Sequence, residues 1–152
     1  MGERVRERVV PGVWFLAALG AMVVLHRVLP GIRLVPAPYR HGGALLVLAG
    51  IAAGIWAVWL FRESGTTARP SKEPTVLVAR GPYRFSRHPM YLGLTVALCG
   101  AALWLGSLTP WAIAIAFFVL VARPAALKEE QAMEATFGKD YERYRARVRR
   151  WI

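Results

Sequence analysis

Two short polar knots interrupt an otherwise apolar chain. The first, RGPYRFSRHPMYLG at residues 80–93, sets Arg80, Arg84, Arg87 and His88 among two tyrosines and two prolines. The second, Lys128-Glu129-Glu130, follows another apolar run. Guanidinium, imidazole and carboxylate groups together can hold a ligand carrying both charge signs, and the imidazole or a carboxylate can take a proton. Pro89 suits the first turn of a helix, where its missing N–H costs nothing. The free amides and dipole of that turn are a seat for a carboxylate or phosphate. Tyr83 and Tyr91 offer aromatic faces with hydroxyls, and Gly93 permits close approach of a backbone or a ligand. Adjacent helical residues point about 100° apart, so one of Glu129 and Glu130 is expected to face the site.

The elements that must bring the knots together are apolar helices. Hydrophobic residues make up 56% of 152, with positive mean hydropathy, and four runs at 12–29, 42–61, 90–106 and 110–127 are candidate spans. A hydrocarbon core of about 30 Å needs roughly 20 helical residues, about 17 at least. The predicted fold is therefore all-α and polytopic, one domain over 1–152 with about four transmembrane helices. Only GSLT separates the last two apolar segments, which predicts a tight hairpin whose far ends, carrying RHP and KEE, are neighbours. Charged groups converging at the edge of a bundle are expensive unless paired or useful, which makes them a candidate site.

The net charge of +11 is distributed unevenly. With four spans, seventeen Lys and Arg fall on one face and three (Arg27, Arg33 and Arg40) on the other. The positive-inside rule places both termini and the 62–89 loop in the cytoplasm. Such a basic skirt serves anionic lipid headgroups, and nucleic acid is not expected. Seventeen Arg against three Lys, with abundant Ala and Gly, points to a GC-rich bacterial genome and hence the cell membrane. The first apolar run lacks a small-x-small cleavage pattern and is expected to be retained. Cys99, inside the third span, reads as a packed thiol. His26 and His41 fall on the opposite face from His88, and three scattered histidines give no metal site. Glycine-rich phosphate loops and serine–histidine–acid sets are not seen. Gly50 and Gly54 have small-xxx-small spacing for helix packing. Residues 62–77 form a polar connector. The tail KEEQAMEATFGKDYERYRARVRRWI is an amphipathic cytoplasmic helix with a stop at Gly138. Its arginines, with Trp151, are expected to anchor it at the interface.

The strings GPYRFSRHPMYLG and EEQAMEATFGKDYERYRARVRRWI resemble the isoprenylcysteine carboxyl methyltransferase family and its phospholipid methyltransferase relatives. The resemblance covers 79–152 and implies an integral-membrane enzyme using S-adenosylmethionine, with that half binding the cofactor at the cytoplasmic face. Carried over by motif, Tyr83, Arg87, His88, Tyr91, Gly93 and Glu130 contact the cofactor, with Glu129 close by. Relatives place an arginine four residues before the paired glutamates. Here Ala125 stands there, leaving Arg123, seven residues before Glu130, as the candidate near the acceptor. The implied reaction is methyl transfer to a lipophilic acceptor: an isoprenylcysteine-type carboxylate, or a related carboxyl, amine or thiol. Glu129 and His88 are the candidate bases for an acceptor that must lose a proton. The competing readings are a nicotinamide-dependent membrane reductase of the sterol-reductase type, whose C-terminal hairpin is similar, and a non-catalytic membrane scaffold.

Overall fold

The computed structural model describes residues 11–65 and 76–152. Most of the polar connector, and the three arginines before the first apolar run, lie outside the described residues. The described chain is helical, with an isolated bridge between Arg33 and Ser107 and no strand. Its elements are α1 (Pro11–Val28), α2 (His41–Glu63), α3 (Pro89–Leu105), α4 (Thr109–Phe117), α5 (Arg123–Phe137) and α6 (Lys139–Arg147). Short 3-10 turns at Ala37–Arg40 and Gly81–Arg84 precede α2 and α3.

Three helical stretches are long and apolar enough to cross a membrane: Pro11–Val28, Ala37–Glu63 and Thr109–Phe137. α3 is apolar too but has 17 residues, at the lower limit for a span. α1 and α2 turn many large apolar side chains outward, among them Leu16, Leu45, Leu48, Ile55 and Trp59. A surface of that kind suits lipid rather than water.

α3 is pinned by its ends and by glycine. Pro89 opens it and Gly106, at φ 73°, closes it in the left-handed conformation that glycine adopts readily. Along its length it packs antiparallel on α2 with almost no space between backbones. A Cβ on Gly50 would lie 2.5 Å from the carbonyl oxygen of Gly93, and one on Gly100 would lie 2.6 Å from the amide of Val47. Gly43 and Gly93 are equally close to the facing helix. Gly50 thus serves packing, but the seam is built on Gly43, Gly50, Gly93 and Gly100 rather than on Gly50 and Gly54 alone. Small residues let helices gain dispersion contacts where lipid removes the hydrophobic drive to associate.

α4 runs into α5 through one π-helical turn, Phe118–Ala122. Pro124 explains it. Proline has no N–H for the carbonyl four residues back, at Leu120, and its ring crowds that carbonyl, so the turn there widens. The helix absorbs the proline and continues.

The chain between α1 and α2 is tied to the turn after α3. Leu34 N–H donates to the Gly106 carbonyl at 2.9 Å, Leu108 N–H donates to Ile32 at 3.0 Å, and His26 Nδ1 lies 2.7 Å from the buried Ser107 hydroxyl. His41 meets the edge of Trp104. These contacts gather at the end of α3 away from His88.

The seam gives a sharp test. Gly50→Ala is expected to cost about 1–3 kcal/mol from overpacking, measured as a lower melting temperature in detergent. Gly54→Ala, where a Cβ meets nothing within 4 Å, should be neutral or slightly stabilising.

Candidate functional site

The site begins at the 3-10 turn. Gly81, at φ 59°, turns the chain in a conformation that suits glycine. Pro82 and Tyr83 are then buried, with the Tyr83 ring packed on Phe61 at 5.5 Å. Tyr144 of α6 donates its hydroxyl to the Tyr83 carbonyl at 2.7 Å, tying the tail to the turn. His88 precedes a proline and sits outside the helical region, at φ −128° and ψ 57°. Its amide donates to Ser86 Oγ at 3.2 Å, and that hydroxyl donates to the Arg150 carbonyl at 3.1 Å.

The His88 ring, 6% exposed, lies between two carboxylates. Nδ1 is 3.3 Å from Glu129 Oε2 and Nε2 is 3.1 Å from Glu130 Oε1. Both contacts carry a hydrogen only when both ring nitrogens are protonated. The sequence expectation that one of the two glutamates faces the site is therefore corrected. Their side chains leave the helix in different directions, but an imidazole presents a nitrogen on each of two edges and meets both.

The two glutamates have different surroundings. Glu130 has a side chain 8% exposed and is crowded with donors. Arg150 grips it with Nε to Oε1 at 2.8 Å and Nη2 to Oε2 at 2.9 Å, while Arg87 Nη1 lies 3.1 Å from Oε1. Glu129, with a side chain 34% exposed, accepts a 2.6 Å hydrogen bond from the Tyr91 hydroxyl and otherwise meets His88.

Around this core, burial dominates. It pushes the Tyr83 phenol well above its ordinary value, and the nearby charge of Glu129 pushes the same way. Burial also raises Tyr144 and Tyr141, whose hydroxyl accepts from Arg87 at 3.3 Å. The hydrogen bond to Glu130, above all, raises Arg150, so that guanidinium stays charged. Two buried polar atoms here, the Tyr83 hydroxyl and Arg87 Nε, have no hydrogen-bond partner among the described residues, although buried polar groups are normally satisfied.

The site thus draws together Tyr83, Arg87, His88, Tyr91, Glu129 and Glu130. Gly93 lies one turn along α3 with its Cα face closed by the α2 backbone. Arg123 is exposed at the start of α5, seven residues before Glu130, and makes no ion pair among the described residues. A cavity of about 220 Å³ lies elsewhere, lined by apolar side chains including Leu19, Val47 and Trp104 towards the Gly106 end, and holds none of this chemistry.

A family model described as phospholipid methyltransferase matches residues 39–140. The chain belongs to the phospholipid methyltransferase family. The match runs from the start of α2 into α6, so it includes the glycine seam and Tyr83, Arg87, His88, Tyr91, Glu129 and Glu130, while Tyr141, Tyr144 and Arg150 lie beyond it. The chain also resembles an uncharacterized protein of Haemophilus influenzae, at 38% identity over 63 residues, which is 41% of this chain and 100% of that one. Membership of a phospholipid methyltransferase family, with three helices able to cross a bilayer, makes this an integral membrane protein.

Sequence reasoning missed the tail's share of the site. Arg150 and Trp151 read as interfacial anchors, yet Arg150 turns inward to Glu130 and Trp151 packs on Phe118 at 4.9 Å and His88 at 5.8 Å. Five arginines near the end look alike in sequence, and only packing tells which one is enclosed. Ser86, Tyr141 and Tyr144 were missed for the same reason, although the three-residue spacing of the two tyrosines places them on one helix face. Tyr144→Phe, which removes the bond to the Tyr83 carbonyl, is expected to destabilise by about 1 kcal/mol, seen as a lowered melting temperature without loss of helix content.

Proposed function

We propose that this protein is an S-adenosylmethionine-dependent methyltransferase acting on a lipophilic acceptor that reaches the site from the bilayer. The observation that carries the reading is the convergence of Arg87, His88, Glu129 and Glu130 where α3 and α5 meet, in a chain of this family. The donor set fits such a cofactor. A carboxylate suits its ammonium or sulfonium charge, guanidinium and helix amides suit its carboxylate, and the unpartnered Tyr83 hydroxyl and Arg87 Nε supply unused donors. No side chain caps the start of α3, which leaves its first-turn amides available for an anion.

In this reading the chain is one domain over 1–152 with four crossings, α3 being the third in chain order and the one added to the three long helices, α3 and α4 forming a hairpin, and 79–152 the cofactor-binding half. The site end is cytoplasmic, because seventeen of the twenty Lys and Arg lie there. Both termini share that side, in a bacterial cell membrane, and the exposed Arg84, Arg143 and Arg147 meet anionic headgroups. Tyr83, Arg87, His88, Tyr91 and the Glu129–Glu130 pair form the polar wall, and Gly93 holds Tyr91 in place through its contact with α2. When bound, the cofactor would supply a methyl group on a sulfonium, the acceptor carboxylate, amine or thiol taking that methyl in line as the C–S bond breaks and the sulfur leaves as a neutral thioether. The chain's residues hold that geometry and keep water out, the main source of rate in such a transfer. A carboxylate acceptor needs no base. For an amine or thiol, Glu129 is the reachable proton acceptor and His88 is its partner. Arg123, two helical turns away, stands on the acceptor side, where its charge orients an anionic group.

Calorimetric titration of the detergent-purified chain tests this. Saturable binding of S-adenosylmethionine is expected, weakened at least tenfold by His88→Ala with folding intact. Binding of NADPH in its place, or no binding by the folded wild type, would overturn the reading.

A further inference from the structure

The two adjacent glutamates do not share one job. We infer that Glu130 is a positioning residue that anchors the C-terminal strap, residues 148–152, through Arg150, and that Glu129 is the carboxylate that receives the cationic part of a ligand. The inference rests on the proposed methyl-donor function for the ligand's identity, but its geometric half does not.

Glu130 Oε1 has no lone pair to spare, and Oε2 is held by Arg150. Arg150 spans both oxygens, while Arg87 and His88 take the remaining capacity of Oε1. Opening this bidentate pair is disfavoured, because the Glu130 carboxylate is buried and would lose its best-aligned donor. A ligand ammonium at Oε1 would have to displace a seated donor, and at Oε2 it would have to share the oxygen with the Arg150 guanidinium. The strap makes further contacts around the same point. Arg87 N–H donates to the Arg149 carbonyl at 3.0 Å, Ser86 Oγ donates to the Arg150 carbonyl, and Trp151 lies against His88 and Phe118. Val148 is buried with Tyr141 and Tyr144. The strap therefore closes one side of the His88 ring, and Glu130 is the charge that fixes it there.

Glu129 has the opposite character. One third of its side chain is open, and among the described residues it pairs with no guanidinium. Tyr91 bonds to it, and Tyr83, with its unpartnered hydroxyl, lies close enough to feel its charge. A half-open carboxylate beside two tyrosines suits a sulfonium or ammonium, held by charge and by aromatic faces.

The test uses the full chain in detergent, with hydrogen exchange of the Arg87 amide, which the strap protects through the Arg149 carbonyl, and S-adenosylmethionine titration as independent readouts. Glu130→Gln and Arg150→Met should each lose this protection, the double variant should lose no more than the worse single, and Arg150→Lys should keep part of it. Both single variants should weaken binding to a similar degree. Glu129→Gln should weaken it tenfold or more with the Arg87 amide still protected. Arg150→Met binding as tightly as wild type, or more tightly, while Glu130→Gln loses binding would overturn the inference, since freeing the carboxylate would then have helped. Unchanged protection of the Arg87 amide in Glu130→Gln would overturn it as well. A wild type that binds no methyl donor would sink the proposed function and the role given to Glu129, while the exchange data would still decide whether Glu130 anchors the strap.

Discussion

Everything at the polar end of this molecule depends on one buried negative charge. Glu130 costs a great deal to desolvate, and the fold recovers that cost with three donors from two separate places in the chain: Arg87 and His88 before α3, and Arg150 beyond α6. A charge held in this way acts as a keystone. It joins the turn before α3, the middle of α5 and the strap, segments that also meet through apolar contacts of Met133, Val148 and Trp151. The hydroxyls of Ser86 and Tyr144 and the Trp151 ring then fill in around it.

The keystone works only if α3 and α5 arrive at the right distance and rotation. Distance on one side is set by the glycine seam, which draws α3 against α2 so closely that its N-terminus has little freedom to shift. Rotation on the other side is set by the π-turn. A widened turn holds an extra residue, so everything after Ala122 is rotated by about 100° relative to an unbroken α-helix. Pro124, which looks like a breaker, is thereby the residue that sets the phase of Glu129 and Glu130.

Most of this frame was legible in the sequence because lipid imposes simple rules. Long apolar runs announced the helices, Pro89, Gly106 and Gly138 marked their ends, and the two polar knots had to meet once the helices paired. Three things were not legible. The full glycine seam needs the register between two helices, which neither helix states alone. The π-turn is a compromise between a proline and the packing around it, invisible to any local pattern. The inward turn of Arg150 depends on a partner 20 residues away that is already committed to His88. Arg123 and Gly93, motif positions by spacing, end up outside the hydrogen-bonded cluster, since spacing fixes a helix face but not what lies opposite it.

The continuous helix Thr109–Phe137 has 29 residues, which at 1.5 Å each is about 43 Å, well beyond a hydrocarbon core of about 30 Å. Counted from Thr109, Glu130 stands about 32 Å along it. With that helix upright in the proposed bilayer, the length from Thr109 acts as a ruler that sets the carboxylate pair at headgroup depth. A lipid diffusing in the leaflet would then meet the site with its polar end while its chains stayed in the hydrocarbon. Selection at this height would favour molecules by where their reactive atom floats, before any contact reads what that atom is.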